Sequence, residues 1–191
     1  VRLPHEPTVH RMRWVKSSDE KYFLVVLPLH GRGNKGGEGA GVKVWAYEFP
    51  KDVNAKWPMH LISQEMHLTH NMAIKEATQT SILVAGKEGI RTIGEPFSQN
   101  NSSKELPGKN YPAGEIKIAK NFIATIEPMH GNKVVVYENA RTVLDSSLVE
   151  GHAIGVGDFA GTGKEQVIAG WRNPNKEGLT GIKIYSRKGN K

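Results

Sequence analysis

The sequence predicts an all-β fold, a β-propeller of four-stranded antiparallel blades with about four blades present. Three observations predict it. One order of events recurs along the chain: an alternating strand, a polar turn, an apolar strand rich in β-branched residues, a glycine-containing turn, and a second alternating strand. Val42, Ile90, Val134 and Ile182 mark the same point of each repeat, at separations of 48, 44 and 48 residues. That spacing is close to the period of about 40–50 residues of a four-stranded blade. Finally, no window carries the apolar stripe at 3.6-residue spacing that a helix needs. The same short strands could build a two-sheet sandwich, but the repeat favours the propeller.

The first repeat (residues 10–63) runs from His10–Trp14 through Tyr22–Leu27 to Gly41–Trp45. The second (70–110) has His70–Ile74, Ser81–Ala85 and Gly89–Ile93, and the third (114–148) has Gly114–Ile118, Phe122–Ile126 and Lys133–Tyr137. The fourth (152–191) has His152–Val156, Gln166–Ala169 and Gly181–Tyr185. A period this long needs a fourth strand, and His60–Ser63 and Thr142–Leu144 supply it in two repeats. Residues 1–191 therefore read as one partial propeller domain. Four blades of a larger ring leave open sheet faces at both ends, so further sequence is expected on both sides.

Composition narrows the function classes. An apolar fraction of 38% against 24% charged residues is that of an ordinary globular domain. The longest apolar runs, such as Phe23 to Leu29, fall far short of the about 20 residues of a membrane-spanning helix, so no membrane span is expected. No signal-peptide pattern opens the chain, which starts at Val1 and reads as processed or truncated. The absence of cysteine excludes disulfides, thiolate zinc sites and cysteine nucleophiles and leaves the compartment open. The net charge of +7 is spread along the chain, often beside acids as in Lys87-Glu88. No nucleic-acid-binding motif accompanies it, so a small polar or anionic ligand is expected rather than a nucleic acid.

Strand direction sorts the chemistry-bearing residues. In an up-and-down blade the start of the first strand and the end of the second share one rim. First-strand starts hold His10, His70 and His152; second-strand ends hold His30, Glu88, His130 and the pair Trp171-Arg172. The turns assigned to the other rim, residues 16–21, 75–80 and 159–164, contain no histidine. Imidazoles gathered on one rim suit metal binding and proton transfer near neutral pH. By alternation each first-strand histidine ends an apolar row, as in His10, Met12 and Trp14, where it could serve as packing residue, ligand or base. His67 and His70 point to opposite faces of a regular strand, so a metal shared between them requires a loop or bulge. The glycine-rich segment Gly31 to Gly41 lacks the phosphate-loop pattern and reads as a flexible rim loop, while the stretch from Gly94 to Gly114 is long enough to shape or cover a site.

With these residues assembled, the chain resembles the propeller domain of the aldos-2-ulose dehydratase family, whose repeats are of the FG-GAP type. The resembling stretches are His10–Trp14, Pro28–Gly33, His67–His70, Phe122–Tyr137, Glu150–His152 and Ile168–Arg172. The resemblance implies a seven-bladed propeller followed by cupin domains, a divalent metal, most naturally zinc, and dehydration of a keto-sugar such as 1,5-anhydrofructose or glucosone. The turn Asp158–Gly163 keeps one aspartate where calcium-binding turns of related repeats hold several, so calcium is not expected there. Carried onto this chain, the reaction needs a base, an electrophile and an acid. The expected assignment is His70 as base, His130 or His30 as acid or metal ligand, and Arg32 or Arg172 near the developing oxyanion. His67, His70 and His130 are the expected metal ligands, and His10, His152, Glu88 and Trp171 the substrate contacts. The alternative is a non-catalytic propeller that binds saccharide or protein, with Trp14 and Trp171 available for stacking on sugar rings.

Overall fold

The structure is a computed structural model that describes residues 1–95, 97, 104, 105 and 110–187, the backbone alone at 104 and 105. It is all-β, without helix among the described residues, and its strands form four antiparallel meanders in chain order. The first sheet holds β1 (Val9–Lys16), β2 (Tyr22–Pro28), β3 (Val44–Glu48) and β4 (Met59–Ser63). The second holds β5 (Thr69–Lys75), β6 (Ser81–Gly86), β7 (Gly89–Gly94) and β8 (Lys104–Glu105). The third holds β9 (Glu115–Ile118), β10 (Ile123–Glu127), β11 (Lys133–Tyr137) and β12 (Arg141–Asp145), and the fourth β13 (Gly151–Gly157), β14 (Gln166–Trp171) and β15 (Gly181–Tyr185).

The runs of consecutive apolar residues in the second strands follow from burial on both faces. Along β6, Ile82 and Val84 pack in one core with Val25, Leu27, Val44 and Met72 of the first two sheets, while Leu83 and Ala85 pack in another with Ile116, Val135 and Tyr137 of the third. Val134 faces the other way, into a third core with Ile126, Leu148, Ile154 and Val167. Successive residues of a strand point to opposite faces, so each interior sheet feeds two cores. Four sheets with three intervening cores replace the two sheets and single core of a sandwich. The first strands are neighbours in chain order, β1 against β5, β5 against β9 and β9 against β13.

Three details depart from the sequence reading. Val42 precedes β3 instead of lying within it; its N–H donates to Met66 O at 2.7 Å, and it packs in the first core as the last residue of the glycine-rich loop. Gly41 is pressed so tightly on the segment before β5 that a Cβ would stand 1.9 Å from Gln64 O, and this contact delays the strand. The second sheet gains β8, which no pattern announced, inside the stretch between Gly94 and Gly114, most of which lies outside the described residues. The fourth sheet has three strands among the described residues, and Ile182 and Ile184 on β15 are 69% and 56% exposed.

A polar clamp joins the third and fourth sheets. Asp145 accepts hydrogen bonds from the Tyr185 hydroxyl at 2.7 Å and Lys183 Nζ at 3.2 Å, and Lys183 also donates to Ser147 Oγ at 2.7 Å. Burial alone would raise the Asp145 carboxyl, but hydrogen bonds from Ser147, Tyr185 and Lys183 outweigh it and hold it down at about 2. A carboxylate depressed in the folded state contributes stability above its unfolded value, and that contribution is lost as pH falls toward 2. Asp145→Asn is therefore expected to lower stability at neutral pH by about 1.5–3 kcal/mol, the usual worth of hydrogen bonds to a charged group. Its stability should also fall less on acidification than that of the parent chain, as urea unfolding across this pH range would show.

Candidate metal centre

The histidines of interest sit where the strand ladders are irregular. The first strand pairs with the second through a register shift at the same place in three sheets: between Val9 and Arg11, between Thr69 and Asn71, and between Gly151 and Ala153. The extra residues are His10, His70 and His152. A bulge breaks the alternation and re-aims the side chain it carries. The histidines therefore do not continue the apolar rows of their strands: Met72 packs in the core between the first two sheets, whereas His70 turns to Gly114 of the third.

The third sheet supplies its histidine differently. Glu115 pairs with Ile126 on the rung that Arg11, Asn71 and Ala153 occupy elsewhere, which puts Gly114 at the histidine position. A Cβ there would lie 3.0 Å from Met129 Cα and 3.2 Å from His130 N, because the β10–β11 hairpin closes over the site. His130 reaches in from that hairpin, in the left-handed region at φ 50°. Such a conformation costs a non-glycine residue on the order of 1–3 kcal/mol and persists where its surroundings impose it. Gly131 makes the turn possible, since a Cβ on it would come within 2.3 Å of the Glu127 backbone.

Hydrogen bonds between sheets set the ring orientations. His10 Nδ1 donates to His70 O at 2.7 Å, and His70 Nδ1 donates to Gly114 O at 2.8 Å. A neutral imidazole that donates from Nδ1 presents a bare lone pair on Nε2, the form that binds metals. That lone pair of His70 lies 2.9 Å from His130 Nε2, and the His152 ring stands 4.5 Å from His130 and 5.8 Å from His70 between centroids. One nitrogen from each of His70, His130 and His152 lies within 4.8 Å of the other two. Ligands at about 2.0–2.1 Å from a tetrahedral zinc stand about 3.3 Å apart, so small ring movements suffice to enclose a cation.

The surroundings disfavour the charged form of two rings, His130 and His10. Burial lowers the pKa of His130, and the neighbouring His70, His152 and Arg172 lower it further against the opposing pull of Glu150. His10 is also held below the ordinary value, first by burial, despite its bond to the His70 carbonyl, and with help from Arg11. Three converging imidazole nitrogens fit a divalent ion of borderline softness such as zinc. Beside His130 a cavity of about 610 Å³ opens toward Asn132, Ser146, Glu150 and Lys176.

Other expected residues fall outside the cluster. His67 gives its backbone N–H and Nδ1 to Glu88 Oε1 at 2.8 and 2.9 Å, so these two residues form a pair of their own. The bulge that the His67–His70 reading required is present, but it turns His70 toward His130 and His152. His30 bridges to Leu68, with Nδ1 3.1 Å from Gly31 O, and Arg32 is an exposed side chain 3.9 Å from Glu6. Trp171 is buried in the third core, with Nε1 donating to Leu179 O at 2.8 Å and Lys183 Nζ 5.4 Å over its ring. Arg172 binds Glu150 at 2.5 Å close enough to His130 to act on its charge. His10 stays at the edge, its ring 4.7 Å from that of His70 and its Nε2 3.4 Å from Arg11 Nη1.

His152, read from sequence as a substrate contact, joins the cluster; its place in the repeat, equivalent to His70, was the available signal. Glu115, under the cluster, was missed because it occupies a rung whose other members are arginine, asparagine and alanine. No family model matches the chain, and no curated protein matches it.

His130 is expected to titrate below 6.5 in metal-free protein, and Arg172→Ala should move its midpoint back up by removing a repelling charge. The folded state resists protonation of this ring, so its contribution to stability is present above 6.5 and declines as pH falls below it. Long-range proton–nitrogen spectra of the imidazole rings across this range would check both shifts.

Proposed function

We propose that the four sheets are successive blades of a partial β-propeller, and that His70, His130 and His152 hold a divalent metal, zinc by ligand chemistry, in a carbohydrate lyase of the dehydratase type. The convergence of three imidazoles, one of them with its tautomer set by a backbone carbonyl, carries the metal part of this reading. The resemblance in His10–Trp14, Phe122–Tyr137 and Ile168–Arg172 carries the reaction class and the keto-sugar substrate. Stacking of first strands in chain order supports the propeller, since blades of that fold place their first strands side by side around an axis.

Bound there, a divalent cation with an open position supplies Lewis-acid polarisation of a carbonyl or hydroxyl oxygen. The chain's own residues supply the rest. His70 and His130 are committed to ligation in this reading, so proton abstraction passes to His10, whose pKa is held low and whose Nε2 lies 3.4 Å from Arg11 Nη1. Arg172, tethered to Glu150 beside His130, is placed to meet negative charge that develops on the substrate oxygen. The cavity beside His130 offers amide, hydroxyl, ammonium and carboxylate groups to a polyhydroxylated substrate.

Equilibrated with zinc, the protein is expected to retain one ion per chain, and His152→Ala to lose it while His67→Ala keeps it, as elemental analysis after gel filtration would report. Supplied with 1,5-anhydrofructose, full-length metal-loaded protein should generate the ultraviolet absorbance of an unsaturated ketone, and His10→Ala should slow this by about 10²–10⁴-fold, the usual worth of a positioned base. Retention of metal and saccharide binding without any such product would replace the lyase reading by that of a binding module.

A further inference from the structure

Directly under the three-histidine cluster lies a rung built from the residues that follow the bulges. Arg11, Asn71, Glu115 and Ala153 occupy it, paired with Leu27, Ala85, Ile126 and Gly170 on the second strands. Glu115 is 6% exposed. Asn71 Nδ2 donates to its Oε2 at 2.5 Å, but its Oε1 is buried and makes no hydrogen bond. That oxygen lies 3.4 Å from His70 Nδ1 and 3.8 Å from Arg11 Nη2. The shorter contact of His70 Nδ1 is to Gly114 O, so the carbonyl takes the hydrogen bond and the carboxylate acts on the ring through its charge.

Glu115 is thus a carboxylate enclosed by protein, held by Asn71 at one oxygen and faced by His70 and Arg11 at the other. A buried anion with one oxygen unpaired is costly and needs a compensating charge. Arg11 offsets part of it at 3.8 Å and is itself partly exposed. On the far side of the His70 ring lies the open Nε2 that faces His130 and His152. A cation there would complete a carboxylate–imidazole–metal relay, in which the carboxylate raises the basicity of the ligand and fixes its orientation.

We propose that Glu115 is the buried counter-charge of the three-histidine site, a positioning residue that acts on a bound divalent cation through His70. The inference rests on the metal reading above. It predicts opposite effects at two neighbouring positions. Glu115→Gln keeps the size of the side chain and an oxygen for Asn71, and replaces the charged Oε1 by a neutral amide NH2, so it weakens the site. Arg11→Ala removes the competing cation, leaves the carboxylate uncompensated, and strengthens it.

The test uses the intact chain with Co²⁺ alone, whose visible spectrum reports the geometry of its ligands, and with Zn²⁺ in competition against a chromophoric chelator. Glu115→Gln should weaken both ions by about 10- to 100-fold, the usual effect of losing an outer partner of a ligating histidine. It should also shift the Co²⁺ bands while metal-free protein stays folded. Arg11→Ala should tighten binding, an outcome that general damage to the fold would not give. Equal affinity in the parent chain and Glu115→Gln overturns the inference and leaves the metal reading standing, as does an Arg11→Ala chain that fails to bind more tightly. A parent chain that takes up neither ion overturns both.

Discussion

The hydrogen bond from the Nδ1–H of a bulge histidine to the carbonyl at the same position of the next sheet is the constraint on which the rest of the site depends. A bulge leaves its extra residue out of the strand ladder, so its carbonyl needs another donor if it is not to be buried unpaired. The preceding sheet provides one: His10 serves His70, and His70 serves Gly114. One interaction therefore satisfies a freed carbonyl, holds adjacent sheets at a fixed offset, and selects the tautomer that leaves Nε2 free.

The third sheet shows how a repeat becomes a site by breaking its own rule. With histidine at position 114 the β10–β11 hairpin would be pushed outward, because a Cβ already stands 3.0 Å from Met129 Cα. Glycine there lets the hairpin descend and bring His130 to the cluster from a different direction. Strict repetition would have lined up one imidazole per first strand, each facing the next, as His10 and His70 do at 4.7 Å. Substituting a hairpin histidine for a strand histidine sets the His130 ring edge-on to its neighbours, at 86° to His70 and 66° to His152, so nitrogens from three rings converge.

The strands were legible because burial on two faces leaves a plain mark: Ile82, Leu83, Val84 and Ala85 form an unbroken apolar run whose alternate members feed different cores. The meeting of His70 with His152 was legible too, since strand direction alone puts the starts of the first strands at one end of their sheets. What the sequence could not display was geometry set by single residues. Nothing in His10, His70 or His152 marks them as bulged, as alternation counts every residue of a strand, and the extra one shows only against its partner's register. Pairing His67 with His70 followed from adjacency in sequence, but adjacency matters less than direction once the bulge turns His70 away and Glu88 captures His67. The contribution of Gly114 was invisible for a simpler reason: its function is to lack a side chain.

The three candidate ligands are unequally prepared, and the inequality orders their parts in any binding event. His70 is 2% exposed, with its Nδ1 tied to Gly114 and its ring packed against His10, His130 and His152, so it has little freedom left to lose. His130 is held by its backbone, since the closed hairpin around Gly131 imposes the left-handed conformation at φ 50°. His152 has no hydrogen bond among the described residues and touches the others only through its ring. Of the three rings, His152 is the one whose orientation no hydrogen bond among the described residues sets. It stands on the sheet whose third strand leaves Ile182 and Ile184 exposed, so the ring without a hydrogen bond belongs to a sheet with an open apolar edge strand.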